Sequence, residues 1–170
     1  MQVRRRLTIR QLSLGCVVAL LFFVQAAGAG VTCSISATGV SFGAYDAAMT
    51  APTDSTGAVD VTCAYLPPDK GASVNFAIQL SQGQAGSYVP RTLVSAAGSL
   101  SYNLYLDPAR SLVWGNGLAS TGVAVGKMAV GPGVGNGTRS QSFPIYGRVP
   151  PLQVVGAGTY ADSITVTIEF

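Results

Sequence analysis

The fold class follows from the stretch Val59-Asp60-Val61-Thr62-Cys63-Ala64-Tyr65, in which apolar residues alternate with polar or small ones. In an extended strand, successive side chains point to opposite faces, so a period of two places the apolar set on one face of a sheet. A helix needs apolar residues every three or four positions, and no stretch after residue 29 shows that spacing. The stretch therefore predicts a half-buried β-strand.

The same alternation recurs on the C-terminal side of this stretch, at residues 74–80 and 100–106. Turn signals separate the alternating segments: a Pro-Pro-Asp-Lys-Gly cluster at 67–71, an Asn-Gly pair at 116–117 that suits a tight hairpin, and a glycine-rich loop at 131–137. Short strands at this spacing predict an all-β sandwich or barrel. No internal repeat, linker or second domain is visible, so residues 30–170 are expected to form one domain.

The C-terminal segment alternates up to the last residue. Tyr160, Ile164, Val166, Ile168 and Phe170 share one phase, and Asp162 is the polar exception in it. The pattern alone predicts a half-buried final strand. The alternative is that this strand also serves as a docking edge for the strand of a partner.

Residues 1–29 are predicted to be a secretory signal peptide. A basic head of four arginines precedes an apolar run at 12–24, and Ala27-Gly28-Ala29 offers the small-x-small pattern of a cleavage site. A membrane anchor is the alternative, but spanning a bilayer takes about 20 apolar residues, more than this run contains. The chain is therefore expected to be exported.

Removing the leader changes the charge balance and the cysteine count. Four of the 10 basic residues and none of the 7 acidic residues lie in it, so residues 30–170 carry a net charge of −1. Without a basic patch, nucleic acid is not expected as a partner. Cys16 leaves with the leader, and the remaining pair, Cys33 and Cys63, is predicted to form a disulfide in an oxidising compartment, the alternative being two free thiols.

The residue types that most catalytic and metal sites need are absent or scattered. The sequence contains no histidine, which excludes Ser-His-Asp and Cys-His nucleophile systems and the usual zinc sites. Asp46, Asp54, Asp60 and Asp69 do not match a calcium-binding loop. We therefore expect no enzyme activity, no catalytic residue, no metal, no cofactor and no small-molecule substrate.

Landmarks in order along the chain resemble the spore coat protein U domain family, which includes the subunits of archaic chaperone–usher pili. The matching pieces cover nearly the whole chain after the leader. They are Cys33-Ser34-Ile35, Phe42-Gly43-Ala44-Tyr45-Asp46, Val59-Asp60-Val61-Thr62-Cys63, Arg91, Ser101-Tyr102-Asn103-Leu104-Tyr105, Trp114-Gly115-Asn116-Gly117, Ile145-Tyr146-Gly147-Arg148-Val149 and Ala157-Gly158-Thr159-Tyr160-Ala161-Asp162-Ser163-Ile164-Thr165-Val166.

The resemblance implies an immunoglobulin-like, pilin-type β-sandwich that lacks its final strand and exposes an apolar groove. It implies a periplasmic pilus chaperone, an outer-membrane usher and other pilus or coat subunits as partners, with donor-strand complementation as the mode of assembly. It also implies export through the periplasm to the cell surface, in a pilus or an extracellular coat. Carried over by position, Ile164, Val166, Ile168 and Phe170 are expected to line or flank the strand-acceptor and chaperone edge.

One departure from the family pattern bears on the role. Polymerising subunits carry a donor segment of ten or more residues before the first cysteine, whereas cleavage after Ala29 would leave only Gly30, Val31 and Thr32. Three residues extend about 10 Å, too little to fill a groove. The chain is therefore expected to accept a strand, with a tip adhesin or cap subunit as one alternative and a secreted sugar-binding or enzymatic β-sandwich, with Trp114 and tyrosines stacking on sugars, as another.

Overall fold

The alternating segments form β-strands throughout the computed structural model, which describes residues 22–24, 30–66, 71–133 and 137–170. No α-helix occurs in these ranges, and accordingly no helix there is long and apolar enough to cross a membrane. The strands within the described ranges are β1 Phe22–Val24, β2 Val31–Thr38, β3 Thr53–Tyr65, β4 Ala72–Leu80, β5 Arg91–Ser95, β6 Gly98–Tyr105, β7 Ala124–Val130, β8 Thr138–Val149 and β9 Val166–Glu169.

Two antiparallel sheets face each other across one hydrophobic core. The larger sheet has the order β1-β2-β3-β8-β6-β5, and the smaller has the order β7-β4-β9. Alternate residues of β3 and β4 point inward and are almost fully buried, with Val59 and Ile78 at 0% exposure. The predicted all-β, immunoglobulin-like sandwich is confirmed.

The predicted disulfide is confirmed as a bridge between neighbouring strands. The β2–β3 register places Cys33 directly opposite Cys63, and their Cα atoms lie 4.0 Å apart. Both half-cystines face the core. In the chain-entropy model, a bridge that closes a loop of this length stabilises the domain by about 3–4 kcal/mol.

Two glycines in the larger sheet allow the chain after β2 to enter the sandwich. A Cβ atom on Gly147 would come within 2.7 Å of Val40 and 2.8 Å of Phe42, and one on Gly57 would lie 3.0 Å from Val40. Val40 and Phe42 therefore occupy the space that side chains on β3 and β8 would otherwise take. The Phe42 ring in turn meets the edge of Tyr102, at a centroid distance of 5.9 Å.

Some sequence expectations were wrong in detail. The last strand comprises only four residues, Val166–Glu169, and the segment from Tyr160 to Thr165 runs as irregular chain with a single bridge from Ala161 to Val94. The Asn-Gly pair does not form a two-residue hairpin, because the turn spreads over residues 115–121. Trp114 is not available to stack on a sugar, since it is fully buried and its indole N–H donates to the carbonyl oxygen of Ile78 at 2.9 Å.

Other predictions fall on residues outside the described ranges. These include residues 1–21 and 25–29 of the leader, most of the turn cluster at 67–71, and residues 134–136 of the glycine-rich loop. The leader boundary at residue 29 and the domain 30–170 stay predictions. Residues 22–24, which belong to the predicted leader, form β1 and pair with β2.

Candidate strand-acceptor edge

Strand β9 forms one edge of the smaller sheet. It pairs with β4, placing Val166 opposite Leu80 and Ile168 opposite Ile78, and no strand of the described chain pairs with its other side. Val166 and Ile168 point into the core and are 5% and 2% exposed. The strand therefore combines an apolar inner face with an open backbone edge.

The hydrogen-bond phase of β9 shows which backbone groups face outward. The backbone N–H of Ser81 donates to the carbonyl oxygen of Thr165 at 2.9 Å, so these two residues form a hydrogen-bonded pair. Because such pairs alternate along an antiparallel ladder, Thr167 and Glu169 also bond to β4. The backbone N–H and C=O groups of Val166 and Ile168 therefore point away from β4, towards the open side.

The four residues predicted for the acceptor edge lie together at this strand but in different environments. Val166 and Ile168 belong to the core, and Ile164 packs against it while partly buried. Phe170 is 45% exposed, and its ring centroid lies 6.3 Å from that of Phe76. The structure thus places two of them beneath the edge and two beside it, and their role in accepting a strand stays a prediction.

Strand β2 lies next to the end of the larger sheet, between β3 and β1. The side of β2 away from β3 pairs with β1, in a register that joins Phe22 to Ile35 and Val24 to Cys33. This edge of β2 is therefore able to pair with an added strand, and cleavage after Ala29 would remove the one that occupies it.

Ser81 fixes the start of β9. Besides its backbone bond to Thr165, its hydroxyl oxygen accepts the backbone N–H of Thr165 at 2.9 Å. Ser81 directly follows β4, so the two contacts tie the entry of β9 to the end of the neighbouring strand. The position of the open edge consequently depends on what holds Ser81.

A buried arginine holds Ser81. Arg91 is 0% exposed, and its Nε and Nη2 both donate to the Ser81 carbonyl oxygen, at 3.0 and 2.8 Å. Nη2 also donates to the carbonyl oxygen of Trp114 at 2.7 Å, and Nη1 donates to Asn103 Oδ1 at 2.8 Å. The Tyr88 ring lies 5.2 Å from the guanidinium carbon. Three neutral oxygens thus bind the buried cation.

Desolvation lowers the pKa of Arg91 from its ordinary value. The group still carries its charge at neutral pH because an arginine guanidinium loses its proton only far above that range. Its donors occupy a fixed planar fork, which suits binding several carbonyl oxygens at once. Arg91 therefore links the end of β4, the start of β5, strand β6 and the turn at Trp114.

Asp162 makes a second connection next to this edge. Its Oδ2 accepts the hydroxyl proton of Tyr102 at 2.7 Å, and its Oδ1 accepts the backbone N–H of Gln84 at 2.8 Å and that of Ser163 at 2.7 Å. Burial, followed by this hydrogen bond to the carboxylate, raises the pKa of Tyr102. The carboxylate holds the chain leading into β9 against the loop that follows β4.

The aspartates considered for a metal site do not converge. The Asp46 carboxylate accepts the backbone N–H of Ala48, whereas Asp54 binds Arg148 through two hydrogen bonds of 2.7 and 2.8 Å on the outer face of the larger sheet. Asp69 lies outside the described residues. Within the ranges that the structure describes, no three His, Cys, Asp or Glu side chains are grouped as metal ligands.

Sequence reasoning missed the role of Arg91 and of Asp162. In the sequence, Arg91 is only a landmark of the resemblance, and its acceptors lie 10 to 23 positions away, so no local pattern reveals them. The sequence does contain a signal for Asp162, because this residue is the polar exception among the apolar residues of its phase. A carboxylate kept in such a phase indicates a specific hydrogen-bond partner.

These observations define an immunoglobulin-like sandwich with a disulfide between neighbouring strands and an open edge on the last strand of its smaller sheet. The family model described as "Spore Coat Protein U domain" matches residues 19–167, so the chain belongs to the Spore Coat Protein U domain family. It is 34% identical over 161 residues to "Protein U" of Myxococcus xanthus, an alignment that covers 85% of this chain and 80% of that relative.

A solved structure also aligns with the chain. It is the crystal structure of the CsuC–CsuE chaperone–tip adhesion subunit pre-assembly complex from the archaic chaperone-usher Csu pili of Acinetobacter baumannii, with a TM-score of 0.48 and 21% sequence identity. The alignment covers 82% of this chain, which spans only 40% of the solved chain.

The family assigns the chain to a class. Its members are exported through the periplasm to the cell surface as pili or coats, which confirms the predicted localisation at the level of the family. Family and fold are those of structural subunits. The chain is thus a structural subunit of the pilus or coat class.

Proposed function

We propose that this chain is assembled by donor-strand complementation and acts as the strand acceptor at the β9 edge. The observation that carries the proposal is the open side of β9, where the backbone groups of Val166 and Ile168 point outward while their side chains belong to the core. An added strand would pair with these groups and cover the open side of β9. Main-chain hydrogen bonds then supply affinity, and alternate side chains supply specificity.

The same edge requires protection before assembly. An open edge strand backed by apolar residues is a template for aggregation, so a periplasmic chaperone would cover it until an outer-membrane usher delivers the subunit. The solved complex that aligns with this chain pairs a tip adhesion subunit with its chaperone. A chaperone, an usher and neighbouring subunits are therefore the partners that we propose.

The N-terminal region favours an acceptor without a donor arm. In a chain that begins at Gly30, the Gly30 carbonyl oxygen accepts the backbone N–H of Leu66 at 2.6 Å, and Val31 and Thr32 already pair with Tyr65 and Ala64. Such a chain would begin inside its own sheet. This favours a terminal position, and a tip adhesin or cap subunit is accordingly the second candidate function.

Amide hydrogen exchange tests the acceptor edge. The full chain is exported with and without co-expression of a periplasmic chaperone of the archaic chaperone–usher type, and exchange is followed residue by residue. In the complex, the amides of Val166 and Ile168 should become protected, whereas those of Thr167 and Glu169, which bond to β4, should be protected in both samples.

Exchange at Val166 and Ile168 that remains fast in the complex would refute the acceptor edge. A free chain that is fully folded, monomeric and indifferent to any chaperone would argue against assembly by strand complementation altogether. Mass measurement of the exported N-terminus decides whether a donor arm exists.

A further inference from the structure

The flank of the sandwich opposite β9 has a different chemistry. A cleft of about 550 Å³ lies between β7 and the first half of β8. We call it the basic flank, and its lining residues are Ser73, Lys127, Met128, Ala129, Arg139, Ser140 and Gln141.

Both walls of the basic flank carry open strand edges in the described chain. Strand β7 pairs only with β4, and β6 reaches β8 only at residues 146–148, which leaves one side of residues 138–144 without a strand. The backbone N–H of Leu80 donates to the carbonyl oxygen of Gly115, so it points away from β9. Because hydrogen-bonded pairs alternate along the β4–β7 ladder, the backbone groups of Val125, Lys127 and Ala129 point away from β4. Of these, Lys127 and Ala129 line the cleft. An extended chain entering the cleft would find backbone donors and acceptors there.

The basic side chains at this flank have no acidic partner among the described residues. Among the described residues, Lys127 and Arg139 are the exposed basic side chains that form no ion pair, since Arg110 and Arg148 both bind Asp54. Both line the same cleft, although the chain after the leader is slightly acidic as a whole. Glu169 lies in an adjoining depression that Lys127 also borders, but the two side chains form no ion pair.

We propose that the basic flank binds an extended, acidic segment of a partner protein by strand addition. Open backbone edges favour a polypeptide, and two unpaired cations favour acidic side chains on it. A second copy of this chain is disfavoured when it approaches through the same edge, because Lys127 and Arg139 would then face their own counterparts. Lysine on an edge strand discourages such self-pairing, so the flank selects a partner of opposite charge.

This inference goes beyond the proposed acceptor role and does not rest on it. Strands β7 and β9 are the two opposite edges of the smaller sheet, separated by β4. An apolar strand at β9 and an acidic strand at β7 can therefore bind or fail independently.

Binding of short peptides to the full chain, purified after export, tests the proposal at low salt. The probes are an eight-residue fluorescent peptide that alternates valine and glutamate, its valine–lysine counterpart, and a polygalacturonate oligomer. The charge-reversed double variant K127E/R139E is compared with T56E/S142E, which places two acidic residues on exposed positions of the larger sheet. The neutralised variant K127Q/R139Q is measured as well. It lowers the net charge by the same amount as the control, so this pair separates local charge from a general change in net charge.

The glutamate peptide should bind the wild-type chain and the control. In the charge-reversed variant its affinity should fall at least about tenfold, since exposed ion pairs contribute up to about 1 kcal/mol each and the reversal adds repulsion. The lysine peptide should bind the reversed variant instead. Amide exchange at Lys127 and Ala129 should slow on binding, while that at Val166 and Ile168 should not change.

Three results would overturn the proposal. If neither peptide binds, the two cations serve only to prevent pairing between copies of this chain. Equal binding of both peptides would remove charge as the basis of selection. Binding of polygalacturonate through Lys127 and Arg139, without the glutamate peptide, would assign the flank to acidic polysaccharide.

Discussion

Replacing Arg91 by methionine tests whether a buried cation positions the acceptor edge. The substitution keeps a long unbranched side chain and removes all five N–H donors. Two carbonyl oxygens, the buried one of Trp114 and the partly buried one of Ser81, then lose the guanidinium that binds them, while Asn103 Oδ1 keeps the backbone N–H of Leu104. Ser81 is the residue that holds the entry of β9.

The expected loss of unfolding free energy follows from these two oxygens. A buried polar group left without its partner costs about 1–3 kcal/mol, which gives roughly 2–6 kcal/mol for the pair. Removing a buried charge regains part of its desolvation cost, so we expect a loss in the lower half of that range. At about 2–4 °C per kcal/mol for a domain of this size, the melting temperature should fall by roughly 5–15 °C.

Thermal unfolding and amide exchange measure the two parts of this prediction, in the chaperone-bound or strand-complemented chain. Arg91→Lys retains the charge but not the fork and should also destabilise the domain, whereas Arg148→Met, at a partly exposed site, should change the unfolding free energy by less than about 1 kcal/mol. In the Arg91→Met variant, Thr167 and Glu169 should lose more protection than the amides of β3. An unchanged melting temperature, or an equal loss of protection in β3, would refute the reasoning.

Three further predictions concern stability. The hydrogen bond from Arg148 is the main cause that holds the pKa of the Asp54 carboxylate below its usual 3.8. Asp54→Asn should therefore lower the unfolding free energy at pH 7 by less than about 1 kcal/mol. This difference between variant and wild type should vanish as the pH falls below 3.8, and a difference that persists in acid would contradict the ion pair. Gly147→Val should destabilise the domain by about 1–3 kcal/mol because the new side chain displaces Val40 and Phe42. Ser142→Val, at an exposed site of the same strand, should have little effect. Equal melting temperatures of the two variants would disprove the steric conflict at Gly147. Reduction of the disulfide should lower the unfolding free energy in urea by about 3–4 kcal/mol, and an unchanged urea midpoint would contradict its contribution.

The strand faces were predictable because a period of two is a local property. Val59 and Val61 on β3, and Phe76 and Ile78 on β4, are buried as their alternation predicted. The disulfide was predictable as well, since only one pair of cysteines remained after the leader. Both inferences needed residue types and spacing but no knowledge of distant contacts.

The final strand shows where such reasoning ends. Alternation predicted a strand from Tyr160, but the Asp162 carboxylate binds Tyr102 and two backbone N–H groups, and these contacts hold the chain in an irregular path before β9. Asn103 is buried together with Tyr102 and Leu104, which breaks the expected alternation because its amide binds Arg91 and the Tyr88 carbonyl oxygen. These partners lie far apart in the sequence, and only the folded chain brings them together.

The two open edges of the smaller sheet would, under both proposals, select different partners. The β9 edge has Val166 and Ile168 beneath it, so an added strand gains stability by covering apolar surface as well as by pairing. The β7 edge exposes Lys127 beside Arg139, so an added strand there gains mainly from charge. Because the edges are opposite and unlike, contacts through both would be heterologous. A chain that accepts a strand at β9 without donating one would stand at the end of such an assembly.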